Sequence, residues 1–131
     1  GSIHTIDHNE ELLVIQNKYF KKAGISEKVK QYTGDKIKII KKLNLDFDLV
    51  FIDADKENYP LYFDLIIEKV KPGGVIIADN ILWSGKILEK VEEEDYATKS
   101  IIEFNDKVNN DDRVETIILP IRDGLSLIRK I

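Results

Sequence analysis

Three acids and a lysine stand where chemistry could be done. Asp53 and Asp55 end the apolar run Phe47-Asp48-Leu49-Val50-Phe51-Ile52, and Lys56 follows them directly. Further along, Gly74-Val75-Ile76-Ile77-Ala78 runs into Asp79-Asn80. Carboxylate and amide oxygens suit a hard divalent cation such as Mg2+, Mn2+ or Ca2+, and Mg2+ keeps positions open for water and substrate. Two neighbouring strands delivering Asp53, Asp79 and Asn80 to one edge would make such a site. The plainer reading is that Asp53 and Asp79 cap the helices after their strands. Two strand ends both given to acids, with Asn80 beside one of them, favour the metal. Lys56 would reach the same pocket and could take a proton there; otherwise it is a surface lysine paired with Asp55 or Glu57. Trp83, the only tryptophan, could wall a flat substrate or simply pack.

The elements around these residues must bring them together. A short apolar run rich in Val, Ile and Phe reads as a parallel strand buried on both faces. Ligands of open α/β sheets sit just beyond the carboxyl ends of such strands. Residues 3–7 read as a first strand ending in Asp7, an acid that could bond ribose hydroxyls or merely cap its loop. Asn9-Glu10-Glu11 then opens a helix with Leu12, Ile15, Tyr19 and Ala23 on one face, stopped by Gly24. Residues 29–33 are a second strand. Gly34-Asp35 behind it could line an adenine pocket, or start the helix that carries Ile39, Ile40 and Leu43.

After the strand at 47–53, Pro60 opens a helix through about residue 70, and Lys71-Pro72-Gly73-Gly74 reads as a turn. Residues 81–94 form an irregular connection. Ala97, Ile101, Phe104 and Val108 mark another helix, and runs at 114–119 and 125–131 form an antiparallel hairpin. The order β-α-β-α-β-α-β-α-β-β predicts an α/β fold with a mainly parallel sheet, in a single domain over 1–131.

Bulk properties narrow the function classes. The chain has 131 residues, a net charge of −4, and 43% hydrophobic against 34% charged residues, which fits a soluble globular protein. The negative balance argues against broad nucleic-acid or membrane binding. With no cysteine, disulfides and thiolate metal sites are excluded. No apolar run approaches the roughly 20 residues of a membrane span, and a cytoplasmic setting is expected. The chain also lacks methionine and therefore reads as a fragment. His4 and His8 have no metal-ligand spacing, and Glu92-Glu93-Glu94-Asp95 reads as a solvated helix start.

The blocks Phe47-Asp48-Leu49-Val50-Phe51-Ile52-Asp53-Ala54-Asp55-Lys56-Glu57-Asn58-Tyr59, Lys71-Pro72-Gly73-Gly74 and Ala78-Asp79-Asn80-Ile81-Leu82-Trp83-Ser84-Gly85 resemble one family. It is the cation-dependent class I S-adenosylmethionine O-methyltransferases, the group containing catechol and caffeoyl-CoA O-methyltransferases. The ending Leu119-Pro120-Ile121-Arg122-Asp123-Gly124-Leu125 resembles that family's terminal hairpin. The resemblance implies a Rossmann-like sheet and methyl transfer from S-adenosylmethionine to a hydroxyl of a catechol-like small molecule. It implies metal ligands at Asp53, Asp79 and Asn80, with Lys56 as the base. The cofactor would meet Asp7 at its ribose, Gly34 and Asp35 at its adenine, and Asp53 and Tyr59 elsewhere; the substrate would meet Asp55 and Trp83.

The family's glycine-rich first strand and helix precede Ile3 and are absent, so 1–131 would be the C-terminal portion of the methyltransferase domain. A homodimer is expected of the full-length protein. Two other readings stand beside the small-molecule enzyme: a methyltransferase acting on a hydroxylated wobble uridine of tRNA, and a non-catalytic α/β nucleotide-binding or interaction module.

Overall fold

The computed structural model describes residues 1–131. The chain divides into two compact units, Gly1–Leu43 and Asn44–Ile131. The first holds β1 (Ile3–Asp7), α1 (Leu12–Lys22), β2 (Val29–Thr33) and α2 (Lys36–Lys42). Its two strands pair in parallel, from Ile3 opposite Val29 to Asp7 opposite Thr33. Gly24 ends the α1 segment in the left-handed region at φ 69°, as expected. The face of α1 that carries Leu12, Ile15 and Tyr19 is solvent-exposed, and no residue of that helix is buried. Ile40 is the one buried apolar side chain of the unit. A two-stranded ladder with two short helices offers too little surface to cover an amphipathic stripe.

The second unit holds β3 (Phe47–Ile52), α3 (Tyr59–Ile67), β4 (Val70–Asp79), α4 (Tyr96–Asn109), β5 (Val114–Leu119) and β6 (Leu125–Lys130). Its sheet order is β3-β4-β6-β5. The β3–β4 pair is parallel and the C-terminal hairpin β5–β6 antiparallel, both as expected; antiparallel pairing extends further, to β4–β6. One face of this sheet carries Ile52, Ile76, Ala78, Ser126 and Ile128, all buried. Tyr59, Phe63 and Ile67 of α3 and Ile101, Phe104 and Val108 of α4 complete that core.

Three expectations are corrected here. The β3 strand is not buried on both faces: Leu49 and Phe51 on its other face are 59% and 55% exposed. It lies at the sheet edge, and the buried positions of α3 and α4 belong to the opposite face. The helix expected to reach residue 70 ends at Ile67, and β4 already begins at Val70. The expected turn Lys71-Pro72-Gly73-Gly74 is a bulge inside that strand, since Phe47 pairs with Val70 and Leu49 with Val75. Only glycine fits at Gly74, where a Cβ would lie 2.7 Å from Val70 Cγ1 and 3.1 Å from the Asp48 carbonyl oxygen. No helix is long and apolar enough to cross a membrane.

Candidate active site

Parallel pairing sets the site. Ile52 lies opposite Ala78, so Asp53 and Asp79 leave adjacent strands at the same edge. Lys56 follows on a short 3-10 turn, Lys56–Asn58, and is 9% exposed. Its Nζ donates to Asp53 Oδ1 at 3.3 Å, to the Asp79 carbonyl oxygen at 3.4 Å and to the Tyr59 hydroxyl at 2.5 Å. The ammonium also stands 4.5 Å from the Tyr59 ring centroid and 5.9 Å from that of Trp83. The Asp53 carboxylate remains about half exposed.

Tyr59 supports this arrangement from below. Its side chain is fully buried, with the ring edge-on to Phe104 at 5.4 Å. Its hydroxyl reaches the carbonyl oxygens that end both strands, Ile52 at 3.2 Å and Asp79 at 3.0 Å. Burial pushes the phenol well above its usual range, against a backbone hydrogen bond at Ala54 and helped by the charges of Asp53, Asp79 and Asp55. The hydroxyl therefore keeps its proton, and can donate to a strand-end carbonyl while accepting from Lys56.

The remaining expected site residues fall into distinct settings. Asp79 Oδ1 accepts from the backbone N–H of Asn80, whose φ is +61°. The Asp55 carboxylate accepts from Asn58 and from the Tyr62 hydroxyl, the latter at 2.8 Å. Trp83 lies in the loop after β4, and its buried indole Nε1 has no hydrogen-bond partner. In the first unit, Gly34 N donates to the Asp7 carbonyl oxygen at 3.0 Å, so both stand at the carboxyl end of the β1–β2 ladder. Asp7 Oδ1 accepts from Asn9 N at 2.9 Å. Asp35 caps α2 by accepting from Lys38 N at 3.1 Å, and that bond chiefly holds its carboxyl below the usual range.

Asp123 was not singled out from the sequence, although the Asp-Gly pair in a hairpin loop marks a position of special backbone. Its carboxylate accepts from Ser84 N, and its carbonyl oxygen from Leu82 N at 2.9 Å. The loop that it holds is strained: Trp83 and Ser84 have φ of +48° and +54°. Left-handed backbone at a non-glycine residue costs on the order of 1–3 kcal/mol. A cavity of about 220 Å³ lies elsewhere, lined by Asn105, Val108, Asn109, Thr116, Ile118 and Ser126, and includes none of the residues above. The strand-end geometry outweighs that cavity as a guide to chemistry, because only the strand ends gather charged groups.

The strand-end donors are two carboxylates and one amide. No group of three His, Cys, Asp or Glu side chains is gathered anywhere in the chain. An all-oxygen set of this size fits a hard divalent cation that retains water or substrate oxygens, and does not fit a soft metal.

Known proteins resemble the chain over its whole length. The sequence profile of the O-methyltransferase family matches residues 1–131. Tricin synthase 2 of Oryza sativa subsp. japonica is 34% identical over 144 aligned positions, covering all of this chain and 49% of that protein. Caffeoyl-CoA O-methyltransferase 1 of Eucalyptus globulus is 34% identical over 141 positions, covering all of this chain and 57% of the relative. The chain thus spans about half the length of these relatives. Among solved structures, an O-methyltransferase from Bacillus cereus in complex with SAH superposes with a TM-score of 0.90 at 25% identity, over all of this chain and 63% of the other.

Proposed function

The chain belongs to the O-methyltransferase family, and from that premise we propose that it carries the reacting edge of an S-adenosylmethionine-dependent O-methyltransferase acting on a catechol-like small molecule. The observation that carries this reading is the buried Lys56 ammonium held between Asp53 and the carbonyl end of β4. Asp53, Asp79 and Asn80 would hold a divalent cation, which when bound supplies Lewis-acid polarisation of a hydroxyl oxygen. S-adenosylmethionine supplies the electrophilic methyl group.

Lys56, once its ammonium has released a proton to solvent, takes the hydroxyl proton as the free amine while the oxygen–carbon bond forms and the carbon–sulfur bond breaks, leaving S-adenosylhomocysteine and the ammonium. The 3-10 turn and Tyr59 keep its Nζ at the strand ends, so the base is placed before substrate arrives. Trp83 walls the acceptor ring, and Asp55 fixes the turn through Asn58 and Tyr62. Asp7, Gly34 and Asp35 serve the ribose and adenine, as the resemblance implies. Residues 1–131 act as one portion of a methyltransferase domain.

The test is incubation of the protein with S-adenosylmethionine, Mg2+ and catechol, with parallel arms containing a chelator, or tRNA that carries a hydroxylated wobble uridine in place of catechol. Methylated catechol is expected, and its formation should stop with chelator and in Asp79→Ala. Product formed equally well with chelator present would remove the metal from the reading. Transfer to tRNA without transfer to catechol would replace the acceptor.

A further inference from the structure

We propose that Asp123 is a positioning residue for Trp83, holding the strained loop that keeps the indole facing Lys56. Three observations converge on it. Trp83 and Ser84 are successive non-glycine residues in the left-handed region, followed by Gly85 at φ +81°. Such backbone persists only where the surroundings over-determine it. The determinants come from the β5–β6 connection: Asp123 Oδ1 accepts from Ser84 N, the Asp123 carbonyl from Leu82 N, and the Gly124 carbonyl from Ile81 N at 3.2 Å. Each residue from Ile81 to Ser84, Trp83 excepted, is thus tied to the hairpin.

The hairpin also abuts the loop sterically. A Cβ at Gly124 would lie 2.5 Å from Leu82 Cγ and 3.1 Å from Ile81 Cδ1. Trp83 itself is left free of the clamp, with a buried indole N–H lacking a partner and a ring centroid 5.9 Å from Lys56 Nζ. A loop built only for packing could relax into ordinary backbone and satisfy that N–H. Here the Asp123 bonds maintain the strained form, and that form sets how the indole faces the base. The acceptor-wall role given to Trp83 rests on the function proposed above; the clamp itself does not.

Trp83 is the only tryptophan, so the tryptophan emission of the whole chain reports on this loop alone. Asp123→Ala should raise the acrylamide quenching constant several-fold and shift emission to the red, with far-UV circular dichroism unchanged. Asp123→Asn keeps an oxygen acceptor but loses the charge, and should give a smaller rise in quenching. If Asp123→Ala does not fold, Asp123→Asn alone decides. Wild-type quenching in whichever of the two folds overturns the proposal. In the methylation assay the acceptor KM should rise several-fold while the cofactor KM stays unchanged. Absence of methylation by the wild-type protein would count against the proposed function and leave the fluorescence outcome standing.

Discussion

Two pairs of strand-end acids behave differently in the two units of this chain. Asp7 and Asp35 stand behind β1 and β2, and each carboxylate accepts from a backbone N–H a few residues ahead, Asn9 and Lys38. Asp53 and Asp79 stand behind β3 and β4. Asp79 also takes a local N–H, that of Asn80, but Asp53 receives a buried lysine that bridges to the neighbouring strand. The difference lies in what is underneath. Lys56 can be held at the strand ends because Tyr59 supports it, and Tyr59 is wedged against Phe104. In the first unit Ile40 is the only buried apolar side chain, and the acids fall back on their own loops. An acid at a strand end becomes part of a cross-strand site where a core can hold its partner, and a cap where none can.

The sharpest way to break this contrast is at Lys56. Lys56→Met keeps the aliphatic stem and removes the ammonium, so packing should survive. Methyl transfer should fall by about a hundredfold or more, the usual range for loss of a general base. Asp35→Asn, at a helix cap beside the adenine, should leave the rate constant for transfer near wild type at saturating S-adenosylmethionine, its effect falling on the cofactor KM. An unchanged rate in Lys56→Met would make Lys56 a structural partner of Asp53 and Tyr59, and the two units would then be alike.

The next largest effect concerns the support itself. Phe104 is fully buried and meets both Tyr59 and Phe63 edge-on. Truncating it to alanine should cost about 3–5 kcal/mol, whereas Ile40→Ala, at the margin of a thin unit that can collapse around the gap, should cost about 2 kcal/mol or less. Urea denaturation of the two variants measures both. Equal costs would mean that the first unit is as well supported as the second, and the account of the acids would fail.

This contrast explains what could be read from the residues alone. Periodicity placed all the strands, and β2 and β5 match residue for residue, because apolar runs bounded by Gly, Asp and Pro are local signals. The helix stop at Gly24 and the hairpin before Leu125 were legible for the same reason. Burial was not. Leu12, Ile15 and Tyr19 fall on one helical face, yet nothing in their spacing says whether a surface exists to receive them. The β3 run reads as doubly buried because Val, Ile and Phe look alike on both faces of a strand, while coverage is decided by helices far along the chain. At the site, Asp53, Lys56 and Asp79 were legible as chemistry. The Asp123 tie to Ser84 was not, since a contact between two loops leaves no spacing to detect.

The smallest effect compares two helix caps. Asp95 accepts from Thr98 N at 3.0 Å and from the Thr98 hydroxyl at 2.7 Å, and these bonds, the backbone one foremost, hold its carboxyl below the usual range. Asp35 is lowered in the same direction by Lys38 N. A carboxyl depressed on folding contributes stability above its unfolded pKa, and that contribution is lost as pH falls through the folded value. The melting temperature of the wild type should therefore drop more steeply than that of Asp95→Asn once the pH falls below about 4. The α4 helix carries Ile101, Phe104 and Val108 into the core, so loosening its cap is felt by the whole second unit. The α2 helix buries only Ile40, so Asp35→Asn should leave the melting curve parallel to wild type and speed amide exchange only at the start of that helix. If Asp35→Asn altered the acid dependence as much as Asp95→Asn, α2 would be coupled to the main folding transition, and the two units would not differ in how firmly they hold their acids.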